Sequence, residues 1–263
     1  MDPSMIAGIV SGLALLFYAI GFEDFGAFIN PQGLAIVIGG TIAAIAASFP
    51  LEALKKAPKQ IVIAIKGKAS KPSIYIDQIE DCANIARKQG ILALEPIALE
   101  QEDDFLRAGI FLIVDALDAT KVRGMLESEL AYLDERHAEA VTLYEKGAAY
   151  APAFGLMGTV IGLVLMLGNL EFDDPAAAQT LTNGMAIALL TTFYGSLFAN
   201  LFFLPVANKL QVLNDRELLC KQIVVEGILS VQAGENPKFI REKLISFLPI
   251  KERAAFNTEQ EGG

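Results

Sequence analysis

Long apolar runs alternate with charged stretches along this chain, and four of the runs contain no Asp, Glu, Lys, Arg or His. The first is Ser4 to Gly21, closed by Glu23 and Asp24, and the second is Gln32 to Phe49, closed by Pro50 and then Lys55 and Lys56. The third is Ala149 to Leu170, closed by Glu171, Asp173 and Asp174, and the fourth is Leu181 to Ala207, closed by Asn208 and Lys209. A helix that crosses the apolar layer of a bilayer needs about 20 mostly apolar residues, so each run reads as a transmembrane span.

The polar stretches show helical spacing instead. Residues 74–89 place Ile76, Ile79, Ala83 and Ala86 on one face with Asp77, Asp81 and Lys88 off it, and Gly90 closes the helix. Pro96 breaks the short segment Ile91 to Glu95. Leu106, Ile110, Ile113 and Leu117 mark a helix over Phe105 to Leu117. Val122, Met125, Leu130, Leu133 and Val141 mark a longer one from about Thr120 that runs on into the third span. The tail is helical from Lys209 through Leu229, and a further helix starts near Asn236-Pro237, where proline suits the first turn. Strand signals are weak throughout. The expected fold is therefore all-α, a polytopic membrane protein with four transmembrane helices and a helical cytoplasmic domain. Its parts are a first hairpin over 1–50 (spans 4–21 and 32–49), a helical domain over 51–148, a second hairpin over 149–207 (spans 149–170 and 181–207) and a helical tail over 208–263.

Charge sets the orientation. All 21 Lys and Arg residues fall in two blocks, Lys55 to Lys146 and Lys209 to Arg253. Cytoplasmic flanks collect Lys and Arg, which places both blocks and both termini inside. The short acidic connections 22–31 and 171–180 then lie outside. The first run starts next to Met1 without a basic n-region or a small-residue cleavage site, so it reads as a retained helix and not a signal peptide. A net charge of −10 without a basic stripe speaks against nucleic acid. Cys82 and Cys220 fall in the cytoplasmic parts, where no structural disulfide is expected. One histidine, His137, and no paired cysteines leave no zinc site, and His137 reads as a solvated helix residue.

Intramembrane Asp, Glu, Lys, Arg or His marks ion pathways, and here there are none. Either the protein moves no ions or a partner supplies the titrating group. The spans hold small residues instead, Gly39, Gly40, Gly155, Gly158, Gly162, Gly184, Gly195 and Ala199, which let helices approach closely. Thr159, Thr191 and Thr192 either bond back to a carbonyl one turn earlier or lend oxygen to a passing hydrated cation. Pro152 and Pro205 sit at the cytoplasmic ends of the last two spans, as bends or as hinges to the polar part.

Particular stretches are not anonymous. Ala151-Pro152-Ala153-Phe154-Gly155-Leu156-Met157-Gly158-Thr159-Val160-Ile161-Gly162-Leu163 resembles the third transmembrane helix of the MotA/PomA family, the A subunits of bacterial flagellar stators. Ala188-Leu189-Leu190-Thr191-Thr192-Phe193-Tyr194-Gly195, with Pro205 and Asn208-Lys209-Leu210, resembles the fourth. Ala86 to Glu95 is similar to the family's cytoplasmic loop, and Asp134-Glu135-Arg136-His137, Glu226-Gly227-Ile228-Leu229 and Glu235-Asn236-Pro237 fit it as well.

The resemblance implies a motility and chemotaxis protein of the bacterial inner membrane, not an enzyme and without a cofactor. It implies a ring, a pentamer, around single helices of a B subunit of the MotB/PomB type, which carries an intramembrane Asp and a peptidoglycan-binding domain. Cation flow at that interface turns the ring, which pushes on the rotor protein FliG. By the same resemblance Arg87, Lys88 and Glu95 meet the rotor, Pro152 and Pro205 couple ion flow to movement, and Thr159 and Thr192 belong to the ion path, to which Thr191 is added as a candidate on the chemistry of its hydroxyl. Thr159 and Thr192 match hydroxyls of sodium-driven members, which favours Na+ over H+ as the transported cation. The loop Phe28-Ile29-Asn30-Pro31 departs from this, since some sodium-type members carry an Asp near Asn30; Glu23 and Asp24 are the nearby acids. The alternative is an energiser of the ExbB/TolQ type, whose chains have three spans.

Overall fold

The structure, a computed structural model, describes residues 4–67, 70–168, 177–250 and 252–253. Among the described residues every regular element is helical. Helix α1 is Ser4–Ile20, and Gly21 ends it at a φ of +87°, a backbone that favours glycine. A 3₁₀ turn, Phe25–Phe28, leads to α2 (Pro31–Leu34), a π-helical turn (Ala35–Gly39) and α3 (Gly40–Ser48), which follow one another without a break. Next come α4 (Leu51–Lys66), α5 (Pro72–Gln89), a 3₁₀ turn (Ile91–Leu94), α6 (Glu95–Glu100) and α7 (Asp104–Val114). Helix α8 (Ala119–Gly168) is 50 residues long. Helix α9 (Ala177–Phe198), a second π turn (Ala199–Phe203) and α10 (Leu204–Gln232) again form one run, and α11 (Pro237–Ile245) follows.

Three stretches are long and apolar enough to cross a membrane: Phe25–Ser48, the apolar end of Ala119–Gly168, and the run beginning at Leu181. The first expected span is shorter. Its helix has 17 residues, the lower end of the range of about 17–25 that spans a bilayer, and none of them is buried against this chain. The acidic residues Glu171, Asp173 and Asp174 lie outside the described residues.

The chain forms two compact units, Met1–Lys68 with His137–Val212, and Ala69–Arg136 with Leu213–Gly263. These boundaries differ from the expected ones at 50, 148 and 207, because residues on the polar side of those points pack with the apolar helices. In α4 the stripe Leu54, Ala57, Ile61 and Ala64 turns inward, and Ala64 is fully buried in a cluster with Ile45, Tyr144 and Val206. The Tyr144 hydroxyl donates to the Ala57 carbonyl at 2.7 Å.

In the second unit Ile76, Ile79, Leu94, Leu106, Ile110, Ile223, Ile228, Ile240 and Leu244 form one buried cluster. The face expected for 74–89 is the buried one, and Gly90, at a φ of +88°, ends the helix. The short segment before Pro96 ends as a 3₁₀ turn at Leu94, and Pro96 sits in the first turn of α6, where its missing N–H costs no bond. In α8 Leu126 is buried and Met125 is half exposed, one position off the expected stripe. The Asn236 side chain caps α11 by accepting from the Lys238 N–H at 3.0 Å. Cys82 and Cys220 are buried free thiols, each pushed up to about 11 by burial.

Candidate functional site

Glycine brings the apolar part of α8 into backbone contact with α9. A Cβ on Gly162 would stand 2.7 Å from the Ala188 nitrogen and from the Gly184 oxygen, and one on Gly155 2.8 Å from the Thr191 oxygen. One on Gly195 would stand 2.6 Å from the Ala151 oxygen. A methyl group fits at none of these positions, so the small residues serve close packing.

That contact sets two threonines face to face. The Thr159 Oγ1 lies 2.6 Å from the Thr192 Oγ1, 2.9 Å from the Ala188 oxygen and 3.1 Å from the Gly155 oxygen. The Thr192 Oγ1 is 3.4 Å from the Ala188 oxygen, too long to compete. Each hydroxyl has one proton to give. The distances therefore assign the Thr192 proton to Thr159 and the Thr159 proton to the Ala188 carbonyl. Thr192 is exposed and Thr159 half-buried.

Thr191 is placed differently from the other two threonines. It is completely buried, its hydroxyl donating to the Ile187 oxygen at 2.9 Å and lying 3.1 Å from the Ala188 oxygen. Its side chain fills the hollow over Gly158, where a Cβ would come within 2.5 Å of it. An oxygen covered by its own chain has no face toward a passing ion, and Thr191 packs the helix pair instead.

The prolines lie in the same helices. Helix α8 continues through Pro152, whose Cα would stand 3.0 Å from a Cβ at Gly195. Pro205 is the second residue of α10, two positions after the π turn Ala199–Phe203. A proline lacks an N–H and crowds the carbonyl four residues earlier, here that of Leu201, and the wider π turn absorbs the mismatch.

One residue that sequence reasoning missed fixes the loop before α2. The Tyr194 hydroxyl donates to the Phe28 oxygen at 2.5 Å and accepts from the Asn30 N–H at 2.9 Å. Asn30 in turn caps α2, its side chain accepting from the Gly33 N–H at 2.8 Å. The signal for Asn30 was present in Asn30-Pro31, a cap followed by proline at the first helical position. For Tyr194 it was a polar tip within an apolar run.

In the second unit, considered by itself, Arg87 and Lys88 are exposed in the last turn of α5, and Glu95 is exposed at the start of α6. None of the three makes an ion pair among the described residues. Neighbouring charges do. Arg241 bridges Asp77 at 2.7 Å and Glu80 at 2.5 Å, and Arg123 pairs with Glu226 at 2.8 Å.

A partly buried polar node lies within this unit and was not foreseen. Asp103 caps α7 by accepting from the Phe105 and Leu106 N–H groups, each at 3.0 Å. It also accepts from Lys221 Nζ at 2.6 Å and from the Tyr75 hydroxyl at 2.7 Å. Burial alone would raise the Asp103 carboxyl, but Lys221, Tyr75 and the Leu106 N–H outweigh it and hold the group below its usual range. Burial and the Asp103 charge push the Tyr75 phenol up.

The profile of the MotA/TolQ/ExbB proton channel family matches residues 98–222. The uncharacterized protein YtxD of Bacillus subtilis (strain 168) is 40% identical over 92% of this chain and 85% of its own length. Chemotaxis protein PomA of Vibrio alginolyticus is 36% identical over 97% of this chain and 98% of its own. The structure of the flagellar MotAB stator complex from Bacillus subtilis matches with a TM-score of 0.85 at 30% identity, covering 97% of this chain and 98% of that one. The chain is thus a helical, polytopic membrane protein that belongs to the MotA/PomA family of flagellar stator A subunits, a family of ion channels and not of enzymes.

Proposed function

We propose that this stator subunit forms a ring around the transmembrane helices of a B-type subunit and lines a sodium path with Thr159 and Thr192. The B subunit, of the MotB/PomB type, supplies the intramembrane Asp and a peptidoglycan-binding domain, and the ring turns against the rotor protein FliG. The observation that carries this reading is the Thr159–Thr192 pair, 2.6 Å apart, with the outer oxygen exposed. It stands in spans without Asp, Glu, Lys, Arg or His. Hydroxyl oxygens are hard ligands that replace part of a cation's water shell but cannot titrate. The pair therefore serves passage of a metal cation, and the exchangeable charge comes from the partner. Pro152 and Pro205 lie in the helices that carry the pair and couple its movement to the polar unit. Arg87, Lys88 and Glu95, exposed and without an ion pair among the described residues, steer a transient contact with the rotor. The protein sits in the bacterial inner membrane with both termini in the cytoplasm, since both basic blocks then face inward.

Thr192 substitutions test this in a stator-deficient strain that expresses the chain with a B-type partner. Thr192→Ser keeps the oxygen and should keep sodium-dependent swimming, whereas Thr192→Ala should lower it several-fold with the complex still assembled. Equal swimming of both variants over a sodium titration would refute the role of the hydroxyl. Failure to purify with any B-type subunit carrying an intramembrane Asp would refute the stator reading itself.

A further inference from the structure

One face of the last span changes character at Thr192. Met185, Leu189, Thr192, Ser196 and Asn200 follow one another at steps of three or four residues, so they share a face of α9 and of the π turn that continues it. All five are exposed. On the side of Thr192 away from Lys209 the row is apolar, with Met185 51% and Leu189 68% exposed. On the side toward Lys209 it is polar, and about 6 Å, one helical turn, separates each oxygen-bearing residue from the next. After Asn200 the row passes Leu204 and reaches Asn208 at the end of the span.

Their hydrogen bonds set Ser196 and Asn200 apart. Elsewhere in the apolar stretches a hydroxyl gives its proton to a carbonyl one turn earlier: Thr41 to Val37, Thr182 to Ala178, Thr191 to Ile187. The Ser196 hydroxyl donates to nothing among the described residues. The Asn200 amide nitrogen lies 2.9 Å from the Ser196 main-chain oxygen and 3.4 Å from its Oγ. A carbonyl can only accept, which identifies the nearer amide atom as the nitrogen. The Asn200 Oδ1 is then the atom without a hydrogen bond among the described residues. Both side chains thus offer oxygen. In hydrocarbon these oxygens would go unsolvated, so the face meets water, a cation or a polar group. A transmembrane partner helix is a poor match, because its N–H groups are bonded within it and it has few donors to give. A cation that keeps part of its water shell is a good one.

We propose that Ser196 and Asn200 form the cytoplasmic limb of the cation path, taking the ion from the Thr159–Thr192 pair and releasing it toward Asn208. The inference rests on the sodium reading of that pair. Neutral oxygens at one-turn spacing hold an ion weakly enough to let it leave, so these two residues govern release and not capture.

The test uses the chain with a B-type subunit in a stator-deficient strain. Ser196→Ala with Asn200→Leu removes both oxygens and keeps the side chains near their size. Swimming speed at saturating sodium should fall about fivefold, the worth of one contact of hydrogen-bond strength, while the sodium concentration for half speed does not rise. Ser196→Thr with Asn200→Ser, which returns two oxygens, should restore most of the speed. In inverted membrane vesicles Ser196→Cys and Asn200→Cys should react with a hydrophilic methanethiosulfonate added outside, whereas Phe202→Cys, off the row, should not. Cys82 and Cys220 are buried, and the unsubstituted chain gives the blank. Unchanged saturating speed in the double variant, or thiols at 196 and 200 no more reactive than at 202, would overturn the proposal; a parent chain that still needs sodium would leave the threonine pair standing. Loss of the B-type subunit on co-purification with the double variant would also overturn it, and would assign the row to helix–helix contact. A parent chain whose speed ignores sodium would overturn both readings.

Discussion

Gly162→Ala gives the sharpest test of the helix pair. The added methyl would stand 2.7 Å from the Ala188 nitrogen and the Gly184 oxygen and 3.0 Å from the Ala188 Cα. Ordinary contacts of that kind begin at 3.4 Å, so α8 and α9 must separate by at least about 0.7 Å at this level. The obstacles are main-chain atoms, which cannot swing aside, and overpacking of this kind costs about 1–3 kcal/mol. Gly124, also within α8, is the control, since nothing lies within 4 Å of a Cβ there. In that open helical position alanine should stabilise, by about 0.5–1 kcal/mol. The two substitutions are chemically identical and should shift stability in opposite directions. At about 2–4 °C per kcal/mol for a chain of this size, Gly162→Ala should lower the melting temperature in detergent by about 4–8 °C for a 2 kcal/mol loss. Gly124→Ala should raise it slightly. Equal shifts would show that the close backbone contact is not what holds these helices together.

Lys221→Met should cost the second unit about 3 kcal/mol, because it leaves the Asp103 carboxylate without its cation, its hydrogen bond from Tyr75 notwithstanding. The Asp103 carboxyl is held below its usual value, so its contribution is complete above about pH 4 and is lost as pH falls through the lower folded value. Removing Lys221 raises that folded value, and the acid-unfolding midpoint followed by circular dichroism should move to higher pH; an unmoved midpoint contradicts the node. Tyr194→Phe deletes the bonds to the Phe28 oxygen and from the Asn30 N–H, at about 1 kcal/mol each. Amide exchange over 25–33 should then quicken, and unchanged exchange would show that the loop is held by other contacts. Arg87→Glu or Glu95→Lys should reduce motor torque, read from tethered-cell rotation, with the protein still in the membrane; loss of the protein from the membrane would mean a structural role.

The apolar spans were legible because bilayer thickness imposes a length on them and charge exclusion marks their ends. Local chemistry was equally readable: Gly90 closes a helix, and Asn236-Pro237 opens one, because caps depend on neighbours in sequence. The fate of each threonine was not. Thr159, Thr191 and Thr192 share a composition and a neighbourhood, and only the approach of α8 to α9 at Gly158 buries Thr191 and leaves Thr192 outside. The π turns were also hidden, since the extra residue at Ala199–Phe203 answers a proline further on and leaves the hydrophobic pattern unbroken. Asp103 and Lys221 are 118 positions apart, and no periodicity links them. The division of the chain depends in the same way on α4, whose stripe became a wall only against Ile45 and Tyr144.

Swimming speed against sodium concentration at fixed pH tests the central claim most directly. The measurement uses a stator-deficient strain expressing this chain with a B-type subunit that carries the intramembrane Asp. The Thr159–Thr192 oxygens predict a speed that rises with sodium and saturates, and that is insensitive to a change of pH at constant sodium. A speed independent of sodium that follows the proton gradient would contradict it.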